Sequence, residues 1–160
     1  MLLLIHLLLF FIIWFKKRPS KIYVYLHICC LNNWEQVVQN IIDKIKNSGL
    51  LLKISEMRCV VLGNEIERNK CKELLIKNIG SKLHILYSSN EINLYERKIL
   101  TLMHEHSKKE VEPFKVLYIH SKGVTGLKKV GGKIENYQRI IDWVEFMLHF
   151  NVNKHEKMIR

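Results

Sequence analysis

His120, Ser121, Lys122 and Gly123 stand in a row, and together they offer a titratable imidazole, a hydroxyl, a fixed cation and a backbone that a ligand can approach closely. Such a quartet suits an anionic group, a pyrophosphate above all when a helix N-terminus lies nearby. A short polar turn with Gly also serves only to connect elements in many α/β proteins, so composition alone leaves both readings open.

Other chemistries are served less well. Residues 126–133 (GLKKVGGK) invite comparison with a phosphate-binding loop, but Gly132 stands where that motif requires Lys, and Ile134 follows Lys133 instead of Ser or Thr. No G-x-G-x-x-G follows the first predicted strand, which argues against a dinucleotide site. The two aspartates, Asp43 and Asp142, fall inside predicted helices, so a divalent cation is left open as a cofactor with no D-x-D pair visible to hold it. Cys29, Cys30, Cys59 and Cys71 lack the C-x-x-C spacing of a zinc or redox site and read as small buried hydrophobes in a reducing compartment. His104 and His106 are two apart on a helix and are expected on solvated surface; His149 and His155 are isolated, and His27 and His84 lie within strands as hydrogen-bonded core or edge residues.

The elements that must position these residues alternate strictly. Residues 21–28, 57–62, 82–87 and 115–120 are apolar runs rich in β-branched and aromatic side chains without helical period, the mark of strands buried on both faces. Between them, Trp34, Val37, Val38, Ile41, Ile42 and Ile45 recur at helical spacing up to Gly49, and a second helix is predicted from Asn64 to near Gly80. A third carries Leu94, Tyr95, Ile99, Leu102 and Met103 and is stopped by Pro113; a last one carries Ile140, Trp143, Val144, Met147 and Asn151. Asn32 with Glu35, Asn64 with Glu67 and Asn93 with Glu96 have the spacing of capping boxes. The order of elements predicts an α/β fold: a parallel, Rossmann-like sheet of about four strands with helices on both faces. Ligands of such sheets bind at the carboxyl ends of the strands. That rule selects residues 30–33 with Asn32, then Gly63 and Asn64, then 88–90, then His120 with the loop behind it.

Residues 1–15 hold one polar side chain, His6, and would span roughly 22 Å as a helix, short of a ~30 Å hydrocarbon core. Trp14 and the Lys16-Lys17-Arg18 cluster suit an interface and favour a cytoplasmic domain, so we expect an N-terminal apolar helix as membrane anchor, a basic linker over 16–20 and a domain over 21–160. Of the formal charge of +11, about four units lie in that basic cluster and its flank, leaving roughly +7 for the domain. This balance favours anionic partners, yet the lysines are dispersed and no recognition helix or stacking platform shows, which argues against nucleic acid.

Tyr23-Val-Tyr-Leu-His27, Asn33-Trp34, Val61-Leu-Gly63 and above all Leu117-Tyr-Ile-His-Ser-Lys-Gly123, followed by the helix around Trp143, resemble a family of glycosyltransferase-like proteins of microbes and large viruses. That family carries a Tyr-x-His-Thr-Lys-Gly element, of which Ser121 is the conservative version. The resemblance implies a nucleotide-diphospho-sugar-binding domain of the GT-A type, with His120, Ser121 and Lys122 near the diphosphate. The family continues into an aromatic-rich segment beyond the position of Arg160, so the expectation is an incomplete domain. The function expected is transfer of a sugar from a nucleotide-diphosphate donor to an unknown acceptor. The alternative is a non-catalytic, membrane-attached interaction module left by truncation.

Overall fold

Apolar runs of β-branched residues become strands because such side chains pack well on a pleated surface; β1 and most of β2 are buried on both faces, whereas edge strand β3 exposes His84 and Leu86. The computed structural model describes residues 20–121, 129–130, 133–134 and 137–155. Strands β1 (Lys21–Cys29), β2 (Glu56–Leu62), β3 (Leu83–Ser89) and β4 (Phe114–His120) form one sheet in the order β3-β2-β1-β4, and every neighbouring pair is parallel. The helices are α1 (Trp34–Asn47), α2 (Leu50–Lys53), α3 (Glu65–Ile79), α4 (Arg97–Lys109) and α5 (Tyr137–Leu148), the last continued by a π-helical turn over His149–Asn153. A two-stranded antiparallel ribbon, β5 (Lys129–Val130) and β6 (Lys133–Ile134), lies between β4 and α5 in the chain. The α/β class and the parallel sheet are as expected. Residues 1–15, expected as an apolar helix, lie outside the described residues; among those described, no helix is long and apolar enough to cross a membrane.

The alternation along β1 divides the core. Val24, Leu26 and Ile28 point to the face covered by α1, α3 and α5, where they meet Val38, Ile41, Leu75 and Leu148. Tyr23 and Tyr25 point to the face covered by α4, where they meet Ile99. Between β3 and β4 the chain crosses from one edge of the sheet to the other, and the right-handed crossover carries α4 to the face opposite α1 and α3.

A polar network pins α4 onto β1. Arg58 Nη1 donates to the Tyr25 hydroxyl oxygen at 3.1 Å, the Tyr25 oxygen lies 2.7 Å from His106 Nδ1, and His106 Nε2 lies 3.2 Å from Glu110 Oε2. With Arg58 as donor, the phenol proton goes to Nδ1 and the Nε2 proton to the carboxylate, so one neutral tautomer satisfies the chain of bonds. His106 was expected on solvated surface; packing between Tyr23 and Phe114 takes it out of water instead, while His104 is exposed as expected. His155, expected to be isolated, is buried, with Nδ1 2.6 Å from the Val152 carbonyl oxygen.

Of the three capping patterns one forms. Asn64 Oδ1 accepts from the Glu67 amide at 2.9 Å. Asn32 instead takes a positive φ of 53°, which delays the helix start so that Asn33 is the N-cap without a side-chain bond. Tyr95 takes φ 47°, which ends a 3-10 turn over Ile92–Leu94 and leaves Glu96 at the N-cap of α4 without a capping bond of its own. Leu94 and Tyr95 therefore precede the helix they were expected to join.

Candidate functional site

In a sheet ordered 3-2-1-4 the strand order reverses at β1, with β2 and β4 on its two sides, and ligands of such sheets bind at the carboxyl ends of the strands beside this switch point. His27 and His120 are register partners on these two strands, so their imidazoles stand side by side on the face carrying α4. Glu96, at the start of α4, reaches over them and places Oε1 3.5 Å from His120 Nδ1. Tyr118 stacks on the His120 ring at 5.6 Å with planes 9° apart, and Trp143 of α5 meets the same ring edge-on at 5.7 Å. Five groups from β1, β4, the α4 entrance and α5 thus converge on one end of the sheet.

Burial dominates the electrostatics of the cluster, and Glu96 is the charge its members share. Burial is the main cause that lowers the pKa of His27 and the adjacent His120 adds to it, whereas the Glu96 charge and a hydrogen bond to the Tyr95 backbone oppose it. Burial and then the charges of Cys30 and Glu96 push the Cys29 thiol up to about 11. Burial and then Glu96 hold the Tyr118 phenol above its ordinary range. His27 Nε2 and the Tyr118 hydroxyl are buried without a hydrogen-bond partner among the described residues. Tyr95, whose left-handed φ costs of order 1–3 kcal/mol, is the residue that meets His27 and sets the entry of Glu96. The cluster can store and exchange a proton, and its carboxylate can hold one imidazole in place.

Ser121 lies beside it but faces inward. Its hydroxyl accepts from the Cys29 amide at 2.9 Å and its own amide donates to the His27 carbonyl at 2.9 Å, so this buried residue ties the ends of β1 and β4 together. Lys122 and Gly123 lie outside the described residues. Asn32 is exposed at its positive-φ turn, and Asn64 is exposed and engaged as the cap of α3. Gly63, at φ 147°, passes so close to β1 that an added Cβ would lie 2.8 Å from Cys30 Cβ, which fixes the spacing between the loops after β1 and β2.

A second group joins three of the loops chosen from the sequence. Arg68 of α3 donates from Nη1 to Ser88 Oγ at 3.0 Å, its amide bonds to the Asn64 carbonyl at 3.0 Å, and its charge acts on Cys30. A groove of about 940 Å³ runs between α1 and α3 from Asn32 to Lys77, but Glu67 in its wall is already met by Trp34 Nε1 at 2.8 Å and Lys70 at 2.9 Å. Asn33 in the same wall, by contrast, keeps a buried side-chain amide without a partner among the described residues; the crevice at the strand ends is preferred because ligands of parallel α/β sheets bind there. Among the described residues no three His, Cys, Asp or Glu converge to hold a metal ion.

The sequence reading chose His120 and missed Glu96, His27, Tyr118 and Arg68. Glu96 had been assigned to a cap; the one signal available for it was a carboxylate beyond a strand end, in a turn that topology directs to the carboxyl edge. The fold and site define a Rossmann-like α/β protein with a polar, titratable switch point. No family model matches the chain, and no curated protein or solved structure matches it either.

Proposed function

We propose that the chain is a glycosyltransferase-like protein of the GT-A type that binds a nucleotide-diphosphate sugar at the carboxyl ends of β1 and β4 and passes the sugar to an acceptor hydroxyl. The observation that carries the reading is the His120–Glu96 pair at the switch point, with Lys122 and Gly123 close behind His120 in the sequence. Sugar transfer asks for two things: a base for the proton of the acceptor hydroxyl, and positive charge for the diphosphate that departs. An imidazole oriented by a carboxylate supplies the first, and Lys122 would supply the second without a protein-bound metal. In this reading residues 1–15 tether the domain to the cytoplasmic face of a membrane. A panel of uridine and guanosine diphosphate sugars, titrated into the full chain in non-ionic detergent at fixed salt, tests it: one donor should bind saturably, and binding by none would remove it.

One observation favours the second reading, a membrane-attached interaction module without catalysis. Trp143, Phe146 and Phe150 on α5 and its π-helical extension are 46%, 62% and 43% exposed, and the two phenylalanine rings pack edge-on at 4.9 Å. An aromatic face of that kind suits contact with another chain or a lipid surface. The donor titration separates the two, since an interaction module has no use for a nucleotide.

A further inference from the structure

We propose that Arg68 anchors a phosphoryl oxyanion at the carboxyl edge of β2 and β3, next to the loop that leaves β1. Its guanidinium is partly buried, and its one side-chain bond goes to the neutral hydroxyl of Ser88. Its Nε is buried without a partner, and among the described residues no carboxylate forms an ion pair with it. Removing a cation from water is costly unless an anion meets it, and proteins almost always supply one. Here the nearest acidic neighbour in sequence is directed elsewhere: Glu67 is engaged by Trp34 and Lys70. Glu65 and Glu91 at the same edge are exposed.

The surroundings favour phosphate over other anions. Arg68 lies in the first turns of the 15-residue helix α3, whose N-terminal amides and dipole end face the same edge. Ser88 holds Nη1 and Nε is shielded from solvent, so a phosphoryl oxygen would be met by the remaining donors of a guanidinium that is already oriented. Gly63 brings the backbone after β2 close to Cys30 beside it, so no side chain stands at that turn. The ligand chemistry is a phosphate or diphosphate, whether free or part of a nucleotide. The inference deepens the donor reading above by giving the diphosphate a second cation, and it stands or falls separately from it.

The test is calorimetric titration of the full chain in non-ionic detergent with inorganic pyrophosphate, then with the uridine and guanosine diphosphate sugars, all at one salt concentration. Arg68→Gln should weaken pyrophosphate binding roughly ten- to a hundredfold, the loss expected for one charge-assisted contact. Lys70→Gln, an exposed residue already paired with Glu67, should change it by less than about threefold. Arg68→Lys keeps the charge without the fork, should fall between them, and carries the test if the Gln variant fails to fold. Unliganded Arg68→Gln should unfold at a temperature no lower than wild type, because an uncompensated cation has been removed. Pyrophosphate affinity unchanged in both Arg68 variants, equal weakening by Lys70→Gln, or no saturable pyrophosphate binding by wild type would overturn the proposal. Pyrophosphate binding at Arg68 with no preference for any nucleotide sugar would instead sink the donor reading and leave the anion site; donor binding indifferent to Arg68 would do the reverse.

Discussion

Replacing Gly63 by Ala should be among the most disruptive single-methyl changes available in this chain, because two independent costs coincide there. The residue has φ 147°, a region that side chains other than hydrogen rarely enter, at a cost of about 1–3 kcal/mol. The new Cβ would lie 2.8 Å from Cys30 Cβ and 3.2 Å from the Cys30 carbonyl oxygen, contacts that must open by several tenths of an ångström. Neither atom is the far end of a flexible side chain, since both belong to the end of β1, so the strain is of the overpacking kind, about 1–3 kcal/mol. The reduced freedom of the unfolded chain returns about 0.4–1 kcal/mol. The net loss is then about 1–5.6 kcal/mol, and at about 2–4 °C per kcal/mol for a domain of this size the unfolding midpoint should fall by roughly 2–22 °C. Thermal unfolding followed by circular dichroism reads the midpoint, and urea unfolding with an unchanged slope confirms that stability alone has moved. Cys30→Gly removes the Cβ that is struck but not the backbone strain, so in the double variant the cost of Gly63→Ala should shrink by the packing part, a coupling of about 1–3 kcal/mol. A Gly63→Ala midpoint within about 2 °C of wild type, or additive behaviour of the pair, would refute the close-approach argument.

Two further outcomes follow from the switch-point cluster. Burial lowers the pKa of His27 below the ordinary 6.5, so below that pH the unfolded chain binds the proton more readily than the folded one; stability should be fully present above pH 6.5 and decline as the pH falls towards 5. Denaturant midpoints across that window should flatten in His27→Gln, and an equal slope in both proteins would contradict the assignment. Glu96→Gln should leave donor affinity within a few-fold of wild type while slowing release of nucleoside diphosphate by about 10²–10⁴-fold, the range of general-base catalysis, and shifting the acid limb of the pH–rate profile. An unaltered rate would remove Glu96 from the machinery.

How much of this was legible in the sequence depends on how local each signal is. The strands were, because β-branched runs such as Cys59-Val60-Val61-Leu62 carry their own propensity; burial on both faces holds there, but not in β3, which exposes alternate residues at the sheet edge. The cap at Asn64 was, since the side chain and the first turn of α3 settle it between them. Asn32 and Asn93 carried the same pattern, but the backbone turns at Asn32 and Tyr95 shift each helix start out of phase, and those φ values answer to neighbouring strands and not to the four residues of the motif. His120 was found because its neighbours announce it. Its carboxylate was not, because Glu96 and His120 meet only after the chain has passed along α4 and back up β4, and a Glu near a helix start looks like a cap until that path is known. His106 was misjudged for the same reason: its partners Tyr23 and Tyr25 on β1 and Phe114 on β4 are far from it in sequence. Arg68 gives no hint at all in the sequence, where it is one of several charges in the run Glu65 to Glu73.

We propose that a nucleotide-diphosphate sugar sits at the carboxyl ends of β1 and β4 with Lys122 as a cation for its diphosphate. The most direct measurement is a titration of wild type, Lys122→Ala and Lys128→Ala with the donor that wild type prefers, at fixed salt. The account predicts saturable binding by wild type and a roughly ten- to hundredfold loss in Lys122→Ala, as for one charge-assisted contact of about 1.5–3 kcal/mol. Little change is expected in Lys128→Ala, which lies outside the His120–Gly123 motif in the sequence. Equal weakening by the two substitutions would mean diffuse attraction to a basic surface with no site, and failure of wild type to bind any nucleotide sugar would contradict the account outright.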